Sequence, residues 1–111
     1  MPSLRHKHCI PCHPDNVRPY TLEEARAQLP GVPTWLLNET GTEISRRVAT
    51  KNFTMSLALA NQIGGVAESE GHHPDLTVSW GSLGIKLSSH AIKGLSENDF
   101  IMAAKIDQLL A

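Results

Sequence analysis

From Phe53 to about Glu70, apolar residues recur at helical spacing. Phe53, Leu57, Ala60 and Ala67 form one stripe, with Leu59, Ile63 and Val66 beside it, and this pattern predicts the longest helix of the chain. The Gly64-Gly65 pair weakens its last third. The period then switches to two. Leu76, Val78 and Trp80 alternate with Thr77 and Ser79, and Leu83, Ile85 and Leu87 alternate with Gly84 and Lys86. A β-hairpin is predicted, with Gly81-Ser82 as its two-residue turn. In that register Leu76 faces Leu87, Val78 faces Ile85, Trp80 faces Leu83, and position 73 comes opposite position 90.

Upstream, Thr21 and Glu24 form a capping box that opens a short helix to about Leu29, where Pro30-Gly31 ends it. Two strands are predicted next, Trp35 to Asn38 and Ile44 to Thr50, around the turn Glu39-Thr40-Gly41-Thr42. Ser96, with Asp99 at the capping-box position, starts a last helix whose apolar side is Phe100, Ala103, Ile106 and Leu110. The order helix-strand-strand-helix-strand-strand-helix predicts an α+β fold: a four-stranded antiparallel sheet with three helices packed on one face. Residues 1–19, with Pro2, Pro11, Pro14 and Pro19, read as an irregular arm, and residues 20–111 as a single domain.

Composition narrows the function. The chain has 111 residues and 41% hydrophobic content, enough for one small core, so apolar surface shared with a second subunit is expected. Lys plus Arg is 10 against Asp plus Glu 11, a net charge of -1. That offers no field for nucleic acid or an anionic membrane, and neither is an expected partner. No apolar run approaches the roughly 20 residues of a membrane span. The basic N-terminus lacks a signal-peptide core, and the two cysteines form no disulfide framework, so a cytoplasmic location is expected. His6, His8, Cys9, Cys12 and His13 have spacing compatible with zinc, but they crowd one proline-containing arm rather than forming two separated ligand couples. No metal is expected, and the arm is read as disordered or in contact with a subunit. No phosphate loop, nucleophilic triad or redox Cys-x-x-Cys context stands out.

The chemistry-bearing stretch runs from Glu68 to Asp99. His72, His73 and His90 flank the hairpin's open end, and imidazoles exchange protons near neutral pH, which suits general acid–base work. Loss of water across a C–O bond needs one group to protonate the departing hydroxyl and another to accept a proton from nitrogen. Glu68 is placed to hold an imidazole in one tautomer. Pro74 turns the chain out of the helix, and spacing leaves open whether His72 or His73 faces a ligand. Asp99 is explained locally as a helix cap.

The segment Glu68-Ser-Glu-Gly-His72-His73-Pro74-Asp75, then Ser88-Ser89-His90 and Gly94-Leu95-Ser96-Glu97-Asn98-Asp99, resembles the signature of the pterin-4a-carbinolamine dehydratase family. The likeness spans about four-fifths of the chain. It departs mildly at Ser88-Ser89, where many members carry Trp-Thr or Ser-Thr and Ser89 keeps the hydroxyl, and at Leu76, where some carry an aromatic. The resemblance implies dehydration of 4a-hydroxytetrahydrobiopterin to the quinonoid dihydropterin, in tetrahydrobiopterin regeneration, without metal or organic cofactor. By motif position, His72 and His90 become the acid–base pair and His73 binds the pterin or its hydroxyl. Glu68, Pro74, Asp75, Ser89 and Asp99 become residues that line or support the substrate site. Homodimers or homotetramers are implied too. The alternative is a non-catalytic interaction, assembly or coactivator protein on the same scaffold.

Overall fold

The computed structural model describes residues 4–11 and 17–111. The first helix, α1 (Leu22–Gln28), carries the capping box in full. The Thr21 side chain accepts from the Glu24 N–H, and the Glu24 carboxylate accepts from the Thr21 N–H. A 3₁₀ turn at Leu29–Gly31 follows, then the strands β1 (Leu36–Leu37) and β2 (Ile44–Ala49). Next come α2 (Phe53–Glu70), β3 (Asp75–Ser79), β4 (Ser82–Leu87) and α3 (Glu97–Leu110). The four strands pair antiparallel in the order β1-β2-β4-β3. The fold is the expected α+β sheet with its three helices on one face. Among the described residues, no helix is long and apolar enough to cross a membrane.

The core lies between sheet and helices. Ile44, Leu83, Ile85 and Leu87 point inward from the sheet and meet Ile63 and Ala67 of α2 and Phe100, Ala103 and Ile106 of α3. Burying a side chain the size of Phe100 stabilises the fold by about 1.5–3 kcal/mol. Trp35 is buried as well, and its indole N–H donates to Asp107 at 2.8 Å.

Three details differ from the sequence reading. The hairpin turns at Trp80-Gly81, because Ser79 pairs with Ser82 and Leu76 with Ile85. Glycine fills the second central position of the turn, where φ is 82°, rather than the first. The two-residue shift preserves which side chains face the core but changes every partner. It also leaves Trp80 at the turn with 75% of its surface exposed. On α2 the buried line is Ser56, Ile63 and Ala67, whereas Phe53 and Leu57 face outward. Polar Ser56 joins that line because its hydroxyl meets Thr50 Oγ1 at 2.6 Å and donates to the Ser82 carbonyl at 3.2 Å. Finally, a 3₁₀ turn at His90–Ile92 separates β4 from α3.

Residues 4–11 of the arm are packed on the body. Leu4–His6 form a 3₁₀ turn, and Leu4 and Cys9 lie against the core. Cys12 and His13 of the considered zinc set lie outside the described residues.

Candidate active site

Helix α2 ends at Gly71, whose φ of 66° would cost most side chains roughly 1–2 kcal/mol. The N–H groups of Gly71 and His72 both turn back to the Ala67 carbonyl, which closes the helix, and Pro74 precedes the extended run of β3. The His72 side chain is 11% exposed, and its Nε2 lies 2.7 Å from Oδ1 of the fully buried Asp99. Oδ2 of Asp99 accepts from the Ser89 hydroxyl at 2.8 Å and from the Ser96 N–H at 2.9 Å. Both oxygens of this carboxylate thus have partners, which is what a buried acidic group requires. Asp99 does two things at once: it completes the capping box of α3 and it touches His72. An ionised Asp99 only accepts, so Nε2 of His72 carries the proton and, in the neutral ring, Nδ1 is the basic nitrogen.

The other two imidazoles are exposed and have acidic neighbours of their own. His73 Nε2 lies 2.7 Å from Glu68 Oε1, and these two residues, with Pro74 and Leu76, border a cavity of about 380 Å³ against α2. His90 opens the 3₁₀ turn, its Nε2 3.9 Å from Asp75 Oδ2. With Ser88, Ser89 and Lys93 it borders a second cavity of about 290 Å³. The candidate residues thus fall into three groups: His72 with Asp99 and, through that carboxylate, Ser89; His73 with Glu68, beside Pro74; and His90 with Asp75. The structure does not bring the three imidazoles to one cavity, since His73 and His90 border different ones.

Position 73 does not oppose position 90. Continuing the observed register beyond Asp75↔Lys86 sets His72 level with Ser89, and β4 ends at Leu87 before His90 is reached. Reading the turn as Trp80-Gly81 would have found this juxtaposition. Sequence reasoning explains Ser96 only as a helix cap, whereas its hydroxyl also lies 2.9 Å from that of Ser89, and it assigns no role to Gly71.

Residues 18–109 match the family model described as pterin 4 alpha carbinolamine dehydratase. The chain belongs to this family. It is 44% identical over 109 residues to a protein of Methylococcus capsulatus, provisionally named a pterin-4-alpha-carbinolamine dehydratase, covering 98% of this chain and 95% of that one. It is 42% identical over 112 residues to the mitochondrial pterin-4-alpha-carbinolamine dehydratase 2 of Arabidopsis thaliana, covering 98% of this chain and 60% of the plant protein. Among solved structures, a transcriptional coactivator/pterin dehydratase from Brucella melitensis superposes with a TM-score of 0.77. That alignment has 23% identity and covers 85% of this chain and all of the other. At that identity the superposition speaks for the fold.

Proposed function

We propose that this family member is a hydro-lyase acting on 4a-hydroxytetrahydrobiopterin, with quinonoid dihydropterin and water as products. The C–O bond breaks as its oxygen takes a proton, and the neighbouring nitrogen gives up its proton as C=N forms, so no oxidant or reductant enters the balance. His90, exposed beside Asp75, assists departure of the hydroxyl. His72, oriented by Asp99, handles the nitrogen proton, and His73 with Glu68 binds the pterin. Pro74, Asp75 and Ser89 shape the site around them. The observation that carries this reading is the buried His72–Asp99 couple, in a chain whose family is shown across residues 18–109. A proton-exchanging ring fixed by a buried carboxylate suits acid–base catalysis. Assembly as a homodimer or homotetramer belongs to the same reading. It is supported by the exposure of Phe53, Met55 and Leu57 on α2 and of Leu36 on the edge strand β1.

The test is a dehydration assay on the purified chain with 4a-hydroxytetrahydrobiopterin. Turnover above the uncatalysed rate is expected, with a loss of roughly 10²–10⁴-fold in His72→Ala and in His90→Ala. A doubly substituted protein that turns over at the native rate overturns the mechanism. A folded native chain without turnover favours the interaction-protein reading instead.

A further inference from the structure

Two buried polar side chains hold the N-terminal segment, and each stands beside one member of the His72–Asp99 couple. Glu70, on the last turn of α2, lies two residues before His72. Its carboxylate is 8% exposed; Oε1 accepts the Cys9 N–H at 2.8 Å, and Oε2 meets His8 Nδ1 at 2.9 Å and Lys105 Nζ at 3.9 Å. Asn98, near the start of α3, immediately precedes Asp99 and is 3% exposed. Its Oδ1 accepts the Ile10 N–H at 2.9 Å, and its Nδ2 donates to the Ile10 carbonyl at 2.5 Å. The amide thus pairs with both polar groups of one residue, as a neighbouring strand would. Cys9 and Ile10 are consecutive, so a stretch of two residues joins the end of α2 to the start of α3. Outer contacts follow the same route: Lys7 pairs with Glu97 at 3.1 Å, and Lys105 donates to the Arg5 carbonyl at 2.9 Å.

We infer that residues 7–10 are a positioning strap for the dehydratase site, with Glu70 and Asn98 as its anchors. This rests on the proposed function and deepens it. The couple is assembled from two chain ends: His72 follows the terminus of one helix, and Asp99 lies in the first turn of another. The core packs α2 on α3, but neither terminus is continued by its own helix, so the fine placement of the two ends depends on what ties them together. A hydrogen bond at 2.7 Å weakens steeply with misalignment, and a displacement of about 1 Å in catalytic geometry costs about 10²-fold in rate. Buried anchors suit such a role because a carboxylate or amide out of water is costly unless its partners stay in place. Nothing in the strap touches the reacting atoms; it acts through Asp99 and His72.

The experiment uses the full chain with three anchor variants, Asn98→Ala, Glu70→Ala and Glu70→Gln, beside Val48→Ala, which trims a half-buried side chain packed against the core from β2 and lowers stability away from the strap. Asn98→Ala and Glu70→Ala are expected to lower kcat tenfold or more with KM within twofold. Glu70→Gln recovers most of that loss, because an amide oxygen still accepts from the Cys9 N–H. Val48→Ala keeps native kcat at temperatures where it is folded. Nitrogen NMR of the His72 ring gives a reading independent of turnover: one tautomer, protonated at Nε2, in the native chain, and a mixture in Asn98→Ala. If the native chain proves inactive on the pterin, the proposed function fails while the ring signal still decides the strap. Folded anchor variants with native kcat, an unchanged ring signal, or losses matched by Val48→Ala overturn the inference.

Discussion

His72 and Asp99 meet at 2.7 Å across 27 positions of sequence, and two helix-capping devices bring them together. Gly71 stops α2 one residue before the imidazole, and Ser96 starts α3 three residues before the carboxylate. The signals that define helix ends therefore also define the candidate site. The same carboxylate oxygen that receives the Ser96 N–H also receives the Ser89 hydroxyl, which fixes the chain just ahead of His90.

Asp99→Asn is expected to reduce kcat/KM by roughly 10²-fold or more. An amide keeps the shape but, with its oxygen retained by Ser89 and Ser96, turns an N–H₂ donor toward His72, so the ring must offer an acceptor at Nε2 and carry its proton at Nδ1. Dehydration rates of the two proteins, with circular dichroism to establish folding, check this. A folded Asn variant at native rate would show that the imidazole's orientation does not depend on the carboxylate.

Gly71→Ala tests backbone conformation alone. An added Cβ meets no atom within 4 Å, so space is free and only the positive φ of 66° opposes a side chain. The expected cost is about 1 kcal/mol, or a Tm lower by roughly 3–6 °C. Gly71→Asn is expected to lose less, since asparagine visits this region more readily. Calorimetry on both variants distinguishes this from a packing effect, which would penalise the larger asparagine more.

How much of this was legible beforehand depends on the kind of signal. Capping boxes are local, and both Thr21–Glu24 and Ser96–Asp99 are present as their spacing predicted. The switch of period from α2 to the hairpin was equally plain. The register was not: Gly81 suits either central position of a two-residue turn, and alternation tolerates a slip of two residues without exposing a single apolar side chain. That slip hid the alignment of His72 with Ser89. On α2, Phe53 and Leu57 match helical spacing as well as Ile63 does, and the partners that let polar Ser56 lie on the inward side come from Thr50 and Ser82, outside the helix's own pattern. Asp99 had a sufficient local explanation as a cap, so its second partner, 27 positions away, left no trace in the local pattern. The docking of residues 4–11 rests on side chains as distant as Asn98, beyond any periodicity.

The Glu70 carboxyl is held below its ordinary value of 4.5. Burial opposes the charge, but the Cys9 N–H, His8 and Lys105 outweigh it. The unfolded chain therefore takes up this proton at higher pH than the folded one does. The stabilisation is complete above the ordinary value and is lost as pH falls through the lower, folded value. Melting temperature should drop on acidification from pH 5 toward pH 3 (a window on the order of the ordinary carboxylate range), and Glu70→Gln should flatten that limb. Parallel acid limbs in the two proteins would exclude Glu70 as a contributor.

Cys9 offers a chemical probe of the docked segment. Burial first, and then the charge of Glu70, push its thiol from 9.0 up to about 12. Because the thiolate is the nucleophile, a shift of that size leaves on the order of 10³-fold fewer reactive thiolates at pH 8 than an ordinary cysteine has. Iodoacetamide should label Cys9 slowly in the native chain and rapidly in denaturant, with fragment-ion mass spectrometry separating Cys9 from Cys12. In Glu70→Gln the neighbouring negative charge is gone while the burial stays, so labelling of native Cys9 should rise without reaching the denatured rate. Native labelling as fast as in denaturant would mean that the segment spends much of its time undocked, and both the raised thiol and its contact with Glu70 would have to be abandoned.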